Sequence, residues 1–421
     1  MSGGQVAVVG AGPAGLSAAI ELRRRGVPGV VVLDREAEAG GIPRHARHQG
    51  FGLRDQRRAM SGPRYAQRLT RLARDAGGEL RTETMVTGWS PDGPLELTSP
   101  RGREMLEPAA VVLATGCRER PRSARLVPGS RPAGVLTTGM LQQLVYLHGG
   151  RAGTRALIVG AEHVSFSALL TLAHGGARAV GLVTELPRHQ SLPGFRAGAA
   201  LRFRAPLWTR TAVAAIHGRE RVEEVELLDL DSGRTRAVAC DTVVFTADWI
   251  PDHELAVMAG VELDPVTRGP AVDAALRTSR PGVFAAGNVL HGAETADVAA
   301  LSGRHAGASV AGFLRHSGGR GGRRASDWPA ARVPIRCEAP LGWIAPNIVT
   351  VGAGAPPRGR FMLRASELLG RATIEIGQDG RVLWSGRAGR VMPGRSTRLP
   401  ADWTEAVDPS GGAVEVRRVA G

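Results

Sequence analysis

From the N-terminus to about residue 315, apolar runs of four or five residues alternate with helix-length segments. Val6 to Gly10, Val30 to Asp34, Ala110 to Ala114, Ala156 to Gly160, Ala179 to Thr184, Thr242 to Thr246 and Val283 to Ala286 are apolar on successive positions rather than on alternate ones. That pattern belongs to strands covered on both faces, and with helices between them it predicts an α/β, doubly wound fold. The strand near residue 156 leads into a second glycine turn and helix, so a second Rossmann-type domain is expected inside the first. The expected division is 1–120 with 247–316 for the first domain and 121–246 for the second. A Gly/Arg/Ser linker at 317–326 follows, and 327–421 read as a small β-rich domain for packing or association. There the stretches are short and alternating, as in Arg360-Phe-Met-Leu-Arg and Ala372-Thr-Ile-Glu-Ile, with a hairpin signal at Gln378-Asp379-Gly380.

Composition narrows the class of protein. With 421 residues, 43% hydrophobic and 22% charged, the chain has the makeup of a globular protein of two or three domains. Charged residues interrupt every apolar run before the roughly 18 residues a membrane span needs, so a soluble protein without membrane partners is expected. The first strand starts at Gln5, leaving no room for a signal peptide, and a cytoplasmic location is expected. Cys117, Cys240 and Cys337 are too far apart for a disulfide framework or a metal-type CxxC, and no metal site is expected. The formal charge of +15 raises nucleic acid as a partner, but all 54 basic residues are arginines scattered over the chain, the richest run being Arg320 to Arg324 in the linker. No nucleic-acid partner is expected. Without any lysine, a lysine Schiff base is excluded.

Gly10-Ala-Gly12-Pro13-Ala14-Gly15 follows a strand and opens a helix from Leu16 to Arg25. Gly10 makes the tight turn, Gly12 lets backbone approach a diphosphate, Gly15 lets helix and strand pack closely, and the helix N-terminus favours the anion. Asp34 ends the next strand, where a carboxylate accepts hydrogen bonds from a ribose diol.

Three further segments, in order, extend this: Asp34-Arg35-Glu-Ala-Glu-Ala-Gly-Gly41, Val111-Val-Leu-Ala114-Thr115-Gly116, and Thr278-Ser-Arg-Pro-Gly-Val-Phe-Ala-Ala-Gly287-Asn288. On these residues the chain resembles the two-dinucleotide-domain, glutathione-reductase-like FAD oxidoreductases over 5–315. The resemblance implies bound FAD, with Asn288 bonding the ribityl chain and the N-terminus of the helix from about Thr295, at Ala296, facing the flavin pyrimidine. The dithiol pair usual in that superfamily is missing here. Gly40-Gly-Ile-Pro-Arg-His, Ser61-Gly-Pro-Arg-Tyr and Ala114-Thr-Gly-Cys-Arg-Glu-Arg-Pro-Arg are most similar to FAD subunits of amine, opine and hydroxyproline dehydrogenases and of hydrogen cyanide synthase. That similarity implies a small-molecule substrate, an amine, imine or hydroxy acid, giving hydride to flavin N5. It also implies a second subunit or electron acceptor as partner.

The second glycine motif is altered. In Gly160-Ala-Glu162-His163-Val-Ser165, Glu162 replaces the middle glycine and Ser165 the third. A carboxylate about 5 Å from a phosphate repels it by roughly 3 kcal/mol per charge pair at an effective dielectric near 20, so NAD(P) is disfavoured, although Glu185 stands where a ribose-binding acid belongs. The alternatives are an NAD(P)H-dependent flavin reductase and a non-catalytic FAD-binding interaction protein. Candidate catalytic residues are His45 and His48 as proton acceptors, Arg44 as a carboxylate clamp, and His163 at the altered turn. His291 follows the late motif, while Glu294 and Asp297 read as ordinary helix-start acids.

Overall fold

The computed structural model describes residues 5–89, 93–191, 193–292, 294–316 and 328–419. The expected linker at 317–326, with its arginine run, lies outside the described residues. The chain forms two compact units: one of residues 1–44, 49–117 and 251–421, the other of residues 45–48 and 118–250.

In the first unit, five parallel strands lie in the order Val283–Ala285, Ala110–Leu113, Val6–Val9, Val30–Leu33 and Glu79–Arg81. The central strands are buried along their whole length, as their unbroken apolar runs require. The helices Pro13–Arg24 and Ala296–His316 cross at very short range. A Cβ on Gly303 would stand 1.9 Å from the Ala14 carbonyl oxygen and one on Gly307 2.6 Å from that of Ala18, so small residues set the crossing. An antiparallel sheet of Met85–Trp89, Leu95–Ser99 and Gly102–Leu106 is appended.

The C-terminal β-rich region belongs to this same unit and has a core of its own, built around Phe361, Leu363, Ile374, Ile376, Val414 and Val416. Its five-stranded sheet runs Ile348–Val349, Val333–Cys337, Val414–Val419, Ala372–Gln378 and Arg381–Ala388, and its second sheet Leu341–Ala345, Phe361–Ala365 and Thr397–Leu399. The hairpin expected at residues 378–380 is present: Gln378 pairs with Arg381, and Asp379 and Gly380 both take positive φ.

The second unit carries a parallel sheet in the order Val135–Thr137, Thr242–Phe245, Arg155–Val159, Arg178–Val183 and Leu207–Trp208, plus a three-stranded antiparallel sheet. Residues 45–48, expected with the first domain, belong to this unit, where Arg47 lies 5.0 Å over the Tyr146 ring. None of the described helices is long and apolar enough to cross a membrane.

Candidate active site

The first glycine turn is shaped for a bound anion. Gly10 has φ of +106°, and a Cβ there would strike the Ala114 carbonyl oxygen at 2.4 Å; a Cβ on Gly15 would reach the Gly10 oxygen at 1.8 Å. Both glycines are demanded by the fold. Gly12 is different: its φ is −77° and a Cβ there would meet nothing within 4 Å. Neither backbone conformation nor packing calls for glycine at that position, and the open space it leaves lies at the N-terminus of Pro13–Arg24, which has no side-chain cap and no acid in its first turn. An uncapped helix start beside open space fits a diphosphate.

Neighbouring residues complete the cradle. Asp34 accepts hydrogen bonds from the Ala11 amide (2.6 Å) and the Glu36 amide (2.9 Å), one on each carboxylate oxygen, so each oxygen keeps capacity for a ribose hydroxyl. Burial pushes its carboxyl upward while those amide bonds oppose the shift. The Gly40–Gly41 turn folds onto the motif: the Gly40 amide donates to the Ala11 oxygen at 2.8 Å, and a Cβ on Gly41 would sit 2.8 Å from the Gly12 Cα. The Thr115 hydroxyl donates to the Asp252 oxygen at 2.7 Å and the Asp252 amide to the Gly116 oxygen at 2.9 Å, tying two strand crossings together. On these grounds the residues present fit FAD.

The second glycine turn is filled by the chain itself. Glu162 is buried, is the N-cap of the helix His163–His174, and forms a capping box with Ser165. Its Oε2 accepts from the Ala161 amide at 2.9 Å, and its own amide donates to Ser165 Oγ at 3.3 Å. Ser165 Oγ in turn bonds Thr246 Oγ1 at 2.8 Å. Burial raises the Glu162 carboxyl above its ordinary value, and its hydrogen bonds to Thr246, Ser165 and the Ala161 amide oppose that shift. In the same unit, buried Glu119 accepts from the Gly139 amide at 2.7 Å, and desolvation pushes its carboxyl up to about 7.

The remaining sequence candidates are distributed as follows. Arg44, expected as a substrate clamp, instead braces its own loop, donating to the Glu38 oxygen and pairing with Glu36 at 3.5 Å. His45 is buried, His48 half-buried, and both lie with His163 in the second unit; His163 is the first residue of its helix. Asn288 engages both ends of its amide on its own loop: Oδ1 accepts from the Glu294 amide at 3.0 Å and Nδ2 donates to the Glu294 oxygen at 3.2 Å. Among the described residues no group of three or more His, Cys, Asp or Glu could hold a metal ion.

Two acids that read as plain helix starters do more than that. Glu294 is nearly buried and pairs with Arg364 at 2.6 Å, with Ser396 bonding the same oxygen. Asp297 is buried and pairs with Arg54 at 3.1 Å. His291 stacks on Trp343, ring centroids 4.5 Å apart, and its burial lowers its basicity so that it is held neutral. Trp343, Arg364 and Ser396 all come from the C-terminal β-rich region, which therefore grips the loop leading into Ala296–His316.

A family profile described as pyridine nucleotide-disulphide oxidoreductase matches residues 4–303. The chain belongs to that family. It is an FAD-dependent oxidoreductase. Among curated relatives, the thioredoxin reductase of Treponema pallidum (strain Nichols) is 27% identical over 290 residues, 68% of this chain and 88% of the relative. One of the opine oxidase subunits of Rhizobium meliloti is 27% identical over 326 residues, 70% of this chain but only 60% of the relative's length. Among solved structures, thioredoxin reductase of T. acidophilum superposes with a TM-score of 0.62 at 23% identity, covering 74% of this chain and 99% of its own, which shows the shared fold.

Proposed function

We propose that this family member is a dehydrogenase or oxidase that takes hydride from a small amine, imine or hydroxy acid, with FAD as the acceptor, and does not draw reducing equivalents from NAD(P)H. One observation carries the reading: the two glycine turns have the same form, but the first is open at Gly12 whereas the second is occupied by the Glu162 carboxyl. Bound FAD supplies a two-electron, hydride-accepting centre. The chain provides the diphosphate cradle at Gly10 to Gly15 and the ribose acceptor Asp34. Of the two histidines proposed to take a substrate proton, His48 is half-buried and His45 buried, so His48 is the more accessible. Cys117, Cys240 and Cys337 lie far apart in the sequence with no CxxC pair among them, which speaks against a dithiol relay. Relatives that are named as parts of multi-subunit enzymes, such as the opine oxidase of Rhizobium meliloti, support an electron-accepting partner.

The test is anaerobic mixing of the yellow protein with NADH and NADPH while following flavin absorbance near 450 nm. Slow or absent bleaching with both coenzymes, together with bleaching by an amino or hydroxy acid, supports the reading. Rapid bleaching that saturates at micromolar coenzyme makes the protein a reductase, in which case exposed Glu185 would favour NADH over NADPH by repelling a 2′-phosphate.

A further inference from the structure

We propose that the C-terminal β-rich region builds a small-anion site at the start of the Ala296–His316 helix, where Arg54, Arg358 and Arg398 receive the carboxylate or phosphate of the substrate. The proposal rests on the reading that this protein oxidises a small molecule with FAD, and it deepens that reading by making the substrate an acid.

Register places Arg398. The strand Thr397–Leu399 runs antiparallel to Phe361–Ala365, with Phe361 opposite Leu399, Met362 opposite Arg398 and Leu363 opposite Thr397. Side chains alternate along a strand, and residues directly opposite each other share a face. Phe361, Leu363 and Leu399 are buried in the β-rich core, so Met362, Arg364, Ser396 and Arg398 are on the other face. That other face is the one that bonds Glu294, through Arg364 and Ser396. Arg398 is thereby delivered to the helix start.

Two more guanidinium groups converge from separate segments. Arg54 reaches the helix start directly, bonding Asp297 at 3.1 Å and Thr295 Oγ1 at 3.1 Å. Arg358 lies in the turn Pro357–Gly359, which packs against the same helix, and its φ of +61° is uncommon for a residue with a side chain. Arg398 senses both: its own proton affinity is lowered by burial first, then by Arg358 and Arg54. Among the described residues neither Arg358 nor Arg398 is ion-paired, and both are exposed. Four arginines with Arg364 included outnumber by one the acids at the helix start, Glu294, Asp297 and Asp55, the last reaching Ala296 through the Tyr65 hydroxyl. The helix adds its own positive dipole end. Solvent-facing guanidinium forks beside a helix N-terminus are suited to bidentate binding of an oxyanion.

Equilibrium dialysis of the full chain as purified, with labelled succinate, labelled inorganic phosphate and neutral succinamide as probes, decides the matter. Saturable binding of an anion but not of succinamide is expected. Arg398→Gln should weaken it at least tenfold and Arg358→Gln severalfold. Arg387→Gln, the same charge change on the exposed face of the strand Arg381–Ala388, should leave it alone. Tighter succinate than phosphate identifies a carboxylic acid substrate, and the reverse order a phosphorylated one. Absence of saturable binding, equal weakening by Arg387→Gln, or indifference to both Arg398→Gln and Arg358→Gln overturns the proposal. Dialysis needs no turnover. Anion binding without flavin bleaching by any amino or hydroxy acid therefore removes the proposed reaction while leaving the site, and bleaching without anion binding does the opposite.

Discussion

Replacing Arg364 with methionine should loosen the loop between the late glycine motif and the Ala296–His316 helix. The pair Arg364–Glu294 is close, 2.6 Å, and its side chains are 9% and 12% exposed. Unit charges about 4 Å apart at an effective dielectric of 20 attract by about 4 kcal/mol. Removing one member of a nearly buried pair costs about 3–5 kcal/mol because the other charge stays desolvated. Arg364→Met also forfeits the Nε bond to Ser396 (3.1 Å) and the approach of the guanidinium to the Trp343 ring (5.1 Å). Hydrogen–deuterium exchange of residues 341–345 and 361–365 reads the local opening. A loss of about 3 kcal/mol corresponds to exchange faster on the order of a hundredfold. The double variant Arg364→Met, Glu294→Gln should recover part of the loss, since no uncompensated carboxylate remains. If Arg364→Met accelerates exchange less than about fivefold, or the double variant is no better than the single one, the Arg364–Glu294 pair does not hold the loop.

Gly12→Val should abolish FAD retention while leaving the helical content of the protein near wild type, because the added side chain enters open space and not the core; flavin absorbance of the purified variant measures it. The double variant Glu162→Gly, Ser165→Gly should gain measurable flavin reduction by NADH in stopped-flow mixing, at a cost of about 1 kcal/mol in stability for the lost cap. Glu119 gives a pH signature: its folded pKa, about 7, is above the ordinary 4.5, so its burial costs nothing below pH 4.5, and stability falls as pH rises from there through 7. The fall should amount to at most about 3 kcal/mol. Glu119→Gln should flatten it, and urea midpoints of the second unit that fall just as steeply in the variant would show that the group is not responsible.

Seven of the ten strands in the two parallel sheets were legible to within about a residue, since a strand covered on both faces must be apolar at every position, whereas the short, part-exposed edge strands Glu79–Arg81, Val135–Thr137 and Leu207–Trp208 carry no such run and were missed. Glu162 was legible too, as an acid in a glycine's place, but its consequence was only half read: charge repulsion could be inferred from the spacing, whereas the capping role depends on side-chain direction. Arg44 misled for the same reason, because a guanidinium suited to a carboxylate is equally suited to the Glu36 carboxylate and a nearby carbonyl. The grip of the C-terminal region on the late loop was invisible in the sequence. Arg364 is 70 residues from Glu294, and Ser396 is 102 residues away. Nothing local distinguishes a helix-start acid that faces water from one that anchors another sheet.

The contrast between the two glycine turns bears on how such a fold loses or keeps a ligand. A Rossmann turn ends in a helix whose first amides lack partners, and some group must satisfy them. At Gly12 the chain supplies none, which leaves that helix start dependent on a bound anion; FAD binding and local stability are then coupled, and the apo form should open more readily there. At Glu162 the chain supplies its own carboxyl and stabilises the turn without any ligand. Under the proposed reading, a nicotinamide dinucleotide bound in the first turn's manner would have to displace a buried side chain together with its bonds to Ala161 and Ser165. The side chain that makes the second unit self-sufficient is therefore the one on which the proposed indifference to NAD(P)H rests.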